Sequence, residues 1–329
     1  MYLKKLNILI ITDQKVSSKN QCDGLVNILK NKKKLRVNIK RKKIALKYIR
    51  KLPSFIIYIL LKIKLINCSE FKEIRPDLVI SCGRIAAPFN LYIKHLHNCK
   101  NIHVLNPYIK YNKFDLIFVP KHDNLIKSKN IIETRTSIVN REKLIISKKE
   151  SSLFNKYFKI PSKKKIVTIL LGGDGGSGTL RTDDINKLVS YIKNEKNNNY
   201  FYCFLFSRRT NKIMKEKIKK NFNKTSYIWN EISPNPYWFL LKKSEYIVVT
   251  ADSISMTSES IASKKNVFVF FPKVLKPKVK RFQTLLLNEK ITRKYYGSLY
   301  GYKNFKLVND EQLITTNINE KLLPSLMNP

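Results

Sequence analysis

Three stretches of this chain bring together residue types that handle phosphate, and each follows an apolar run. The first is Thr250-Ala251-Asp252-Ser253-Ile254-Ser255-Met256-Thr257-Ser258-Glu259. The run Tyr246–Val249 before it reads as a buried strand that breaks at the Thr-Ala-Asp-Ser turn and re-enters as a helix. Ser253 or Ser255 can cap that helix, and Glu259 sits about one turn further in. A helix start at the carboxyl end of a parallel strand presents unpaired N–H groups and a positive dipole end, which suits phosphate. Small hydroxyl residues let the phosphate approach, and a carboxylate one turn on can accept from a ribose diol. This composes the diphosphate end of a sugar-nucleotide site, although an ordinary capped strand–helix junction carries the same signature.

The second stretch, Gly172-Gly173-Asp174-Gly175-Gly176-Ser177-Gly178, follows Ile166–Leu171. It reads as a glycine loop whose N–H groups face an anion. Residues 173–178 also match the Gly-x-Gly-x-x-Gly dinucleotide fingerprint, so an NAD(P)-dependent enzyme is a third reading. Against it, the following helix is expected at Thr182-Asp183-Asp184 with Thr182 as its cap, too late for the glycines to open it. The next strand ends in Ser207-Arg208-Arg209-Thr210 rather than an acidic residue, although Arg208 would suit a 2′-phosphate. That third stretch puts two guanidinium forks at a strand's carboxyl end. Asn235-Pro236-Tyr237 then opens a helix with Pro in its first turn. Gly-Lys-[Ser/Thr] is missing, so no P-loop is expected.

In the first half, Thr12-Asp13-Gln14-Lys15, Ser81-Cys82-Gly83-Arg84, Asn106-Pro107 and Pro120-Lys121-His122-Asp123 each follow a strand-like run. Asp13, His122 and Asp123 are the candidates for proton transfer. Lys15, Gln21, Gly83, Arg84 and Asn106 are candidates for the acceptor side, Arg84 as an anion holder. His95, His97, Cys99 and His103 lack a tetrahedral ligand spacing, and no metal or cofactor is expected. No Ser-His-Asp arrangement or nucleophile elbow is visible.

These residues need elements to hold them. Strand-like and helix-like runs alternate through both halves, which implies an α/β fold of parallel sheets covered by helices. Expected strands are 6–12, 35–40, 77–81, 101–105 and 114–119, then 166–171, 200–206, 227–229, 246–250 and 267–271. Expected helices are 22–31, 55–67 and 86–98, then 183–195, 212–222, 236–243, 255–263 and 278–287. Residues 147–165, with Lys148-Lys149 and Pro161-Ser162-Lys163-Lys164-Lys165, read as a linker. The expectation is two Rossmann-like domains facing a cleft, 1–155 on the acceptor side and 156–329 on the sugar-nucleotide side, with the last helix packing back on the first domain. In open α/β sheets, ligands sit at the carboxyl ends of strands.

At 329 residues the chain is comfortable for two domains. Its formal charge of +42 would ordinarily point to nucleic acid or an anionic membrane. The excess is spread along the chain, and Lys, Ile and Asn all have A/T-rich codons. No nucleic-acid-binding motif appears, so dedicated nucleic-acid binding is not expected. Five widely spaced cysteines without a Cys-x-x-Cys pair imply reduced thiols in the cytoplasm. The apolar run Leu6–Ile11 is too short for a signal peptide. The longest apolar run, within residues 54–66, is too short to cross a bilayer. Edged by Lys51, Lys62 and Lys64, it is either a buried helix or one lying on an anionic membrane surface, which would place the protein on the inner face of the cytoplasmic membrane.

Taken together, Ser81-Cys82-Gly83-Arg84 with Ala87-Pro88, Asn106-Pro107, Phe114-Asp115 through Pro120-x-His122-Asp123, Gly172-Gly173, Ser207-Arg208-Arg209-Thr210, Asn235-Pro236-Tyr237 and Val249-Thr250-Ala251-Asp252-Ser253-x-Ser255-Met256-x-x-Glu259 resemble the mitochondrial-fission Elm-type family of plants and bacteria. The resemblance runs from about Asp13 to Asp310. It implies a fold similar to GT-B glycosyltransferases, with Gly172, Gly173, Ser207, Arg208, Arg209, Thr210, Asn235, Asp252, Ser253, Ser255, Met256 and Glu259 around the donor. It also implies a second role, since the plant members are associated with recruiting a fission protein to mitochondria. The chain departs from the family's first loop, where Ser17-Ser18 replace a Gly-His pair, and it lacks a Gly-Ala-Leu-His pattern around Arg135–Ile138. The expected activity is metal-independent transfer from a nucleotide-diphosphate sugar to an envelope or lipid-linked acceptor. The alternative is a non-catalytic scaffold docking to a membrane or protein partner.

Overall fold

A computed structural model describes residues 4–13, 15–31, 35–44, 48–158, 161, 163–175, 177–195, 199–232, 234–299 and 305–327. Gln14, Ser162 and Gly176, singled out above, lie outside the described residues. The chain forms two compact units, Met1–Asn140 with Asn309–Pro329, and Arg141–Val308.

In the first unit the strands are β1 (Lys4–Thr12), β2 (Leu35–Lys43), β3 (Leu78–Cys82), β4 (Lys100–Val104), β5 (Leu116–Pro120) and β6 (Ile131–Thr134). Its first helices are α1 (Val16–Lys30), α2 (Ser54–Lys62), α3 (Ser69–Lys72) and α4 (Ala86–His97). The strands form one parallel sheet in the order β2-β1-β3-β4-β5-β6. Side chains alternate across it, as the strand period of two requires. Leu6, Ile8 and Ile10 enter one core with α1, while Leu9 and Ile11 enter the other with Ile57, Leu61 and Phe89. β6 is missing from the sequence expectations, because Ile131 and Ile132 alone make too short an apolar run. α1 begins at Val16 rather than 22, so Ser17 and Ser18 lie in its first turn and not in a loop. Among the described residues no helix is long and apolar enough to cross a membrane.

In the second unit, α5 (Lys148–Tyr157) leads into β7 (Lys165–Leu171), β8 (Gly178–Thr179), α6 (Thr182–Lys193), β9 (Tyr200–Phe206), α7 (Lys212–Phe222), β10 (Tyr227–Ile228), α8 (Tyr237–Lys243), β11 (Tyr246–Thr250), α9 (Ile254–Ala262), β12 (Asn266–Phe270), β13 (Val274–Leu275), α10 (Pro277–Asn288) and β14 (Arg293–Lys294). The parallel sheet runs β10-β9-β7-β11-β12-β14, with β13 and β8 forming a small antiparallel pair beside it. The core again splits by strand alternation. Val167, Ile169 and Leu171 face α6 and α7, and Leu170 faces α8.

Within the stretch expected to be a linker, Lys148–Tyr157 instead form α5. Ser147 caps it in a capping box with Glu150. Phe154 and Phe158, one turn apart, bury against Phe239, with ring centroids 4.8 and 5.7 Å away. Lysines on the exposed side of a helix disguise this inward face. The units therefore divide between Asn140 and Arg141, where the sequence placed the boundary after residue 155.

The chain ends in α11 (Asp310–Lys321) and α12 (Leu323–Met327). Ile314, Ile318, Leu322 and Leu326 pack into the first unit's core. Asp310 accepts the backbone N–H groups of Arg135 and Thr136 and the Thr136 hydroxyl, at 2.8 to 3.1 Å.

Candidate functional site

In each sheet the strand order reverses once, between β1 and β3 and between β7 and β11. Such switch points open a crevice at the carboxyl edge. Gly172-Gly173 follow β7 and Asp252 follows β11, so the sequence's phosphate candidates do meet at the second unit's switch point.

Their roles there are divided. Asp252 is fully buried. It accepts the Gly173 N–H at 3.1 Å, the Thr250 hydroxyl at 2.7 Å and the Arg209 guanidinium at 3.0 Å. Burial raises its carboxyl above the usual range, and those three partners oppose the rise. Thr250 also accepts the Gly172 N–H at 2.8 Å. A side chain at Gly172 would collide with the Asp252 carboxylate, and one at Gly173 with the Arg209 carbonyl. Thr210 donates to the carbonyls of Leu171 and Gly172, and Ser207 accepts the Arg209 N–H at 3.1 Å. Asp252, Arg209 and Thr210, expected at the phosphate, thus hold the glycine loop against the turn after β9.

Beside this brace lies a cavity of about 310 Å³, lined by Leu170, Leu205, Phe206, Ser207, Arg208, Trp229, Glu231, Asn235, Tyr237 and Met256. Arg208 is exposed, in contrast to Arg209. Ser253 caps α9 by accepting the Met256 N–H at 3.3 Å, and Ser255 sits in the helix's first turn. Asn235 accepts the Tyr237 N–H at 3.0 Å, which fixes the turn into α8. The Tyr237 hydroxyl donates to Glu259 at 2.5 Å. Burial and the charge of Glu259 push that hydroxyl well above its ordinary pKa, so it stays a donor. Trp229 and Glu231 are not among the sequence-based candidates, and Tyr237 appears there only within the Asn235-Pro236-Tyr237 helix start. Trp229 directly follows β10, the position where ligands gather, but the aromatic and β-branched run 227–229 reads as strand throughout.

The dinucleotide fingerprint does not have its required geometry. Gly178 belongs to β8, paired with β13, and Gly175 bridges to Gly178. α6 starts only at Thr182, with Arg181 at its cap and the Asp184 carboxylate accepting the Arg181 N–H at 2.9 Å. Thr182 is therefore the first helical residue and not the cap.

In the first unit, Asp13 and Gly83 follow the switch-point strands β1 and β3. Gly83 has φ +87°, and a Cβ there would stand 3.9 Å from both Asp13 Oδ2 and Ser18 Oγ. The Lys15 N–H and ammonium lie 3.1 and 3.5 Å from the Asp13 carboxylate. Gln21 is buried in α1 and donates to the Cys82 sulfur at 3.7 Å. Arg84, expected to hold an anion, donates to the carbonyls of Leu52 and Arg50, which anchors the turn before α2. Asn106 accepts the Tyr108 N–H at 2.8 Å. His122 Nε2 lies 3.3 Å from Asp123 Oδ1, and both side chains are only 2% exposed. The structure thus gathers Asp13, Gly83 and Gln21, and places His122-Asp123 at the end of β5.

His103 is buried on β4 and shares a 2.7 Å hydrogen bond with the Ser81 hydroxyl. Among the described residues no group of three or more His, Cys, Asp or Glu could hold a metal ion. All five cysteines are free and buried.

The sequence profile of the family described as Mitochondrial fission ELM1 matches residues 18–322. An uncharacterized protein of Rickettsia prowazekii is 29% identical over 91% of this chain and 94% of its own length. The mitochondrial fission protein ELM1 of Arabidopsis thaliana is 24% identical over 75% of this chain, which spans 64% of the plant protein. The UDP-GlcNAc 2-epimerase of Neisseria meningitidis is similar in structure, with TM-score 0.58, 15% identity, and coverage of 97% of this chain and 100% of that one. UGT2 of Phytolacca americana follows at TM-score 0.53 and 10% identity, covering 96% and 90%. At these identities the likeness concerns the fold alone, the GT-B class of two Rossmann-like units expected from the sequence. With the profile spanning nearly the whole sequence, the chain belongs to the mitochondrial fission ELM1 family.

Proposed function

We propose that the second unit binds a nucleotide-diphosphate sugar and that the protein is a GT-B-type glycosyltransferase or a close relative of one. The observation that carries this reading is the cavity beside the β7–β11 switch point, where exposed Arg208, the capped start of α9 and the Tyr237–Glu259 pair converge. Two of its structural neighbours support it: the Neisseria meningitidis epimerase binds UDP-GlcNAc, and the Phytolacca americana protein was complexed with UDP-2-fluoro-glucose. Arg208 and the Ser253–Ser255 helix start would face the diphosphate, beside the Gly172-Gly173 loop whose amides are already bonded to Thr250 and Asp252. Asp252 and Arg209 would keep that loop in place. Glu259, oriented by Tyr237, would accept from the ribose diol, and Trp229 and Phe206 offer apolar surface to the base. Donors fixed in advance stabilise the charge growing on a leaving diphosphate without reorganising, and need no metal to do so. Asp13, His122 and Asp123 remain the candidate bases and the first unit the acceptor side.

Calorimetric titration with UDP- and GDP-sugars tests the site. Loss of a charge-assisted hydrogen bond costs about 1.5–3 kcal/mol, roughly 10- to 100-fold in affinity. Arg208→Ala and Glu259→Ala are each expected to weaken binding by about that much. Unchanged affinity in the double variant would remove the site from consideration.

A non-catalytic scaffold is the second reading. It is favoured by the burial of His122 and Asp123, by the Lys15 ammonium beside Asp13, and by Ser17-Ser18 where the family pattern has Gly-His. Donor binding without donor hydrolysis or transfer would favour it.

A further inference from the structure

Helix α2 presents two faces. Ile57 and Leu61 are fully buried in the first unit's core, and the helix packs on α4. Phe55, Ile59 and Ile63, spaced four residues apart, form a ridge on the other side, 55, 51 and 58% exposed. Tyr48 before the helix and Leu65 after it extend the exposed apolar surface. The sequence around this ridge carries no Asp or Glu between Asp23 and Glu70, whereas Arg50, Lys51, Lys62 and Lys64 flank it. An apolar ridge with basic flanks is the signature of a helix lying in a membrane interface.

A second observation adjoins the ridge. A cavity of about 450 Å³ is lined by Tyr58 and Lys62 of α2, by Leu91, Lys94, His95 and Asn98 at the end of α4, and by Lys110 and Lys113. Among the described residues no carboxylate lines it. Lys94 is engaged with Asp115 at 2.7 Å, and the Lys62 ammonium lies over the Tyr58 ring. Lys110 and Lys113 are exposed and make no ion pair among the described residues. A cationic hollow beside an apolar ridge matches the geometry of a phospholipid, whose charged headgroup sits beside its acyl chains.

We propose that this face of the first unit docks on a bilayer containing anionic phospholipid, with Phe55, Ile59 and Ile63 entering the acyl boundary and a headgroup phosphate occupying the cavity of Lys62, Lys110 and Lys113. Charge complementarity selects the occupant. Basic residues near an anionic leaflet add to the apolar contribution, so both features act on one surface. The proposal stands apart from the sugar-nucleotide reading, which concerns the other unit.

The net charge of +42 would attract this protein to any anionic surface, so the test must be local. The full chain is sedimented with vesicles of phosphatidylcholine alone or mixed with phosphatidylglycerol, at low and raised salt. Phe55→Glu/Ile59→Glu is expected to lower partitioning onto the mixed vesicles by roughly tenfold or more, and to abolish what survives raised salt. Ile213→Glu/Ile232→Glu, an equal charge change at exposed residues of the second unit, is expected to cost less than about twofold. Lys110→Glu/Lys113→Glu is expected to weaken binding to the mixed vesicles while leaving any binding to phosphatidylcholine alone unchanged. Thermal melting and UDP-sugar affinity, each matching the unsubstituted chain, keep misfolding and the donor site out of the result. Equal losses in the two isoleucine-bearing double variants would reduce the binding to diffuse adsorption and overturn the proposal. So would undiminished binding in Phe55→Glu/Ile59→Glu, or a ridge that captures only an acidic protein and no vesicle.

Discussion

His103 is enclosed on β4, bonded to Ser81 and tilted against the Phe114 ring with their centroids 5.3 Å apart. Burial lowers its pKa from the ordinary value to about 3. Below about pH 6.5 the unfolded chain takes up a proton at this ring that the folded chain refuses until about pH 3. Its contribution to stability is therefore complete above that window and is lost as pH falls through it, at up to about 1.4 kcal/mol per pH unit. Urea unfolding across the window should show a steeper acid decline for the natural chain than for His103→Asn. Parallel curves would mean the ring titrates alike in both states. The same residue explains why its apparent cluster with His95, His97 and Cys99 was only a sequence proximity. His103 points into the sheet's interior polar network, where Asn90 donates to Ser81 at 2.7 Å and accepts from Asn101 at 2.7 Å. Residue type was legible at the second unit's switch point as well, but partnership was not. Arg208 and Arg209 are adjacent and chemically identical, and only the fold separates the one at the cavity from the one bound to Asp252.

Among the elements, α5 carries the sharpest difference between expectation and fold. Its lysine-rich sequence hides an apolar pair one turn apart, and Phe158 meets Tyr227 edge-on at 4.2 Å as well as Phe239. Truncating a buried aromatic costs about 3–5 kcal/mol. Phe154→Ala is therefore expected to lower the urea midpoint of the second unit, with the first unit's amide protection unaffected. A loss below about 1 kcal/mol would mean the helix is a dispensable appendage. Strands with uninterrupted β-branched and aromatic runs, such as Ile166–Leu171 and Tyr246–Thr250, were placed to within a residue, because burial on both faces demands such runs. The edge strand β6 and the start of α1 were not, since both rely on neighbours for their order more than on their own pattern.

At the scale of the molecule, the chain's last segment returns to the unit where it began. Asp310 closes three hydrogen bonds from Arg135 and Thr136, and Ile314, Ile318 and Leu322 complete the core beside α1. A chain ending at Val308 should lose hydrogen-exchange protection in β1 and β6 while the second unit keeps its own. Equal protection with and without the segment would show that α11 adds nothing to the first sheet. The alternation of strand and helix, the parallel sheets and the rule that ligands gather at their carboxyl edges follow from hydrophobic period and helix capping, which are local, so the sequence alone determined them. It also carried enough motif to indicate the family. Which arginine lines the cavity, which carboxylate is spent inside and which face of α2 stays bare depend on contacts between residues distant in sequence. Burial and partner distance are set only when those segments meet, and so the tertiary structure alone decided them.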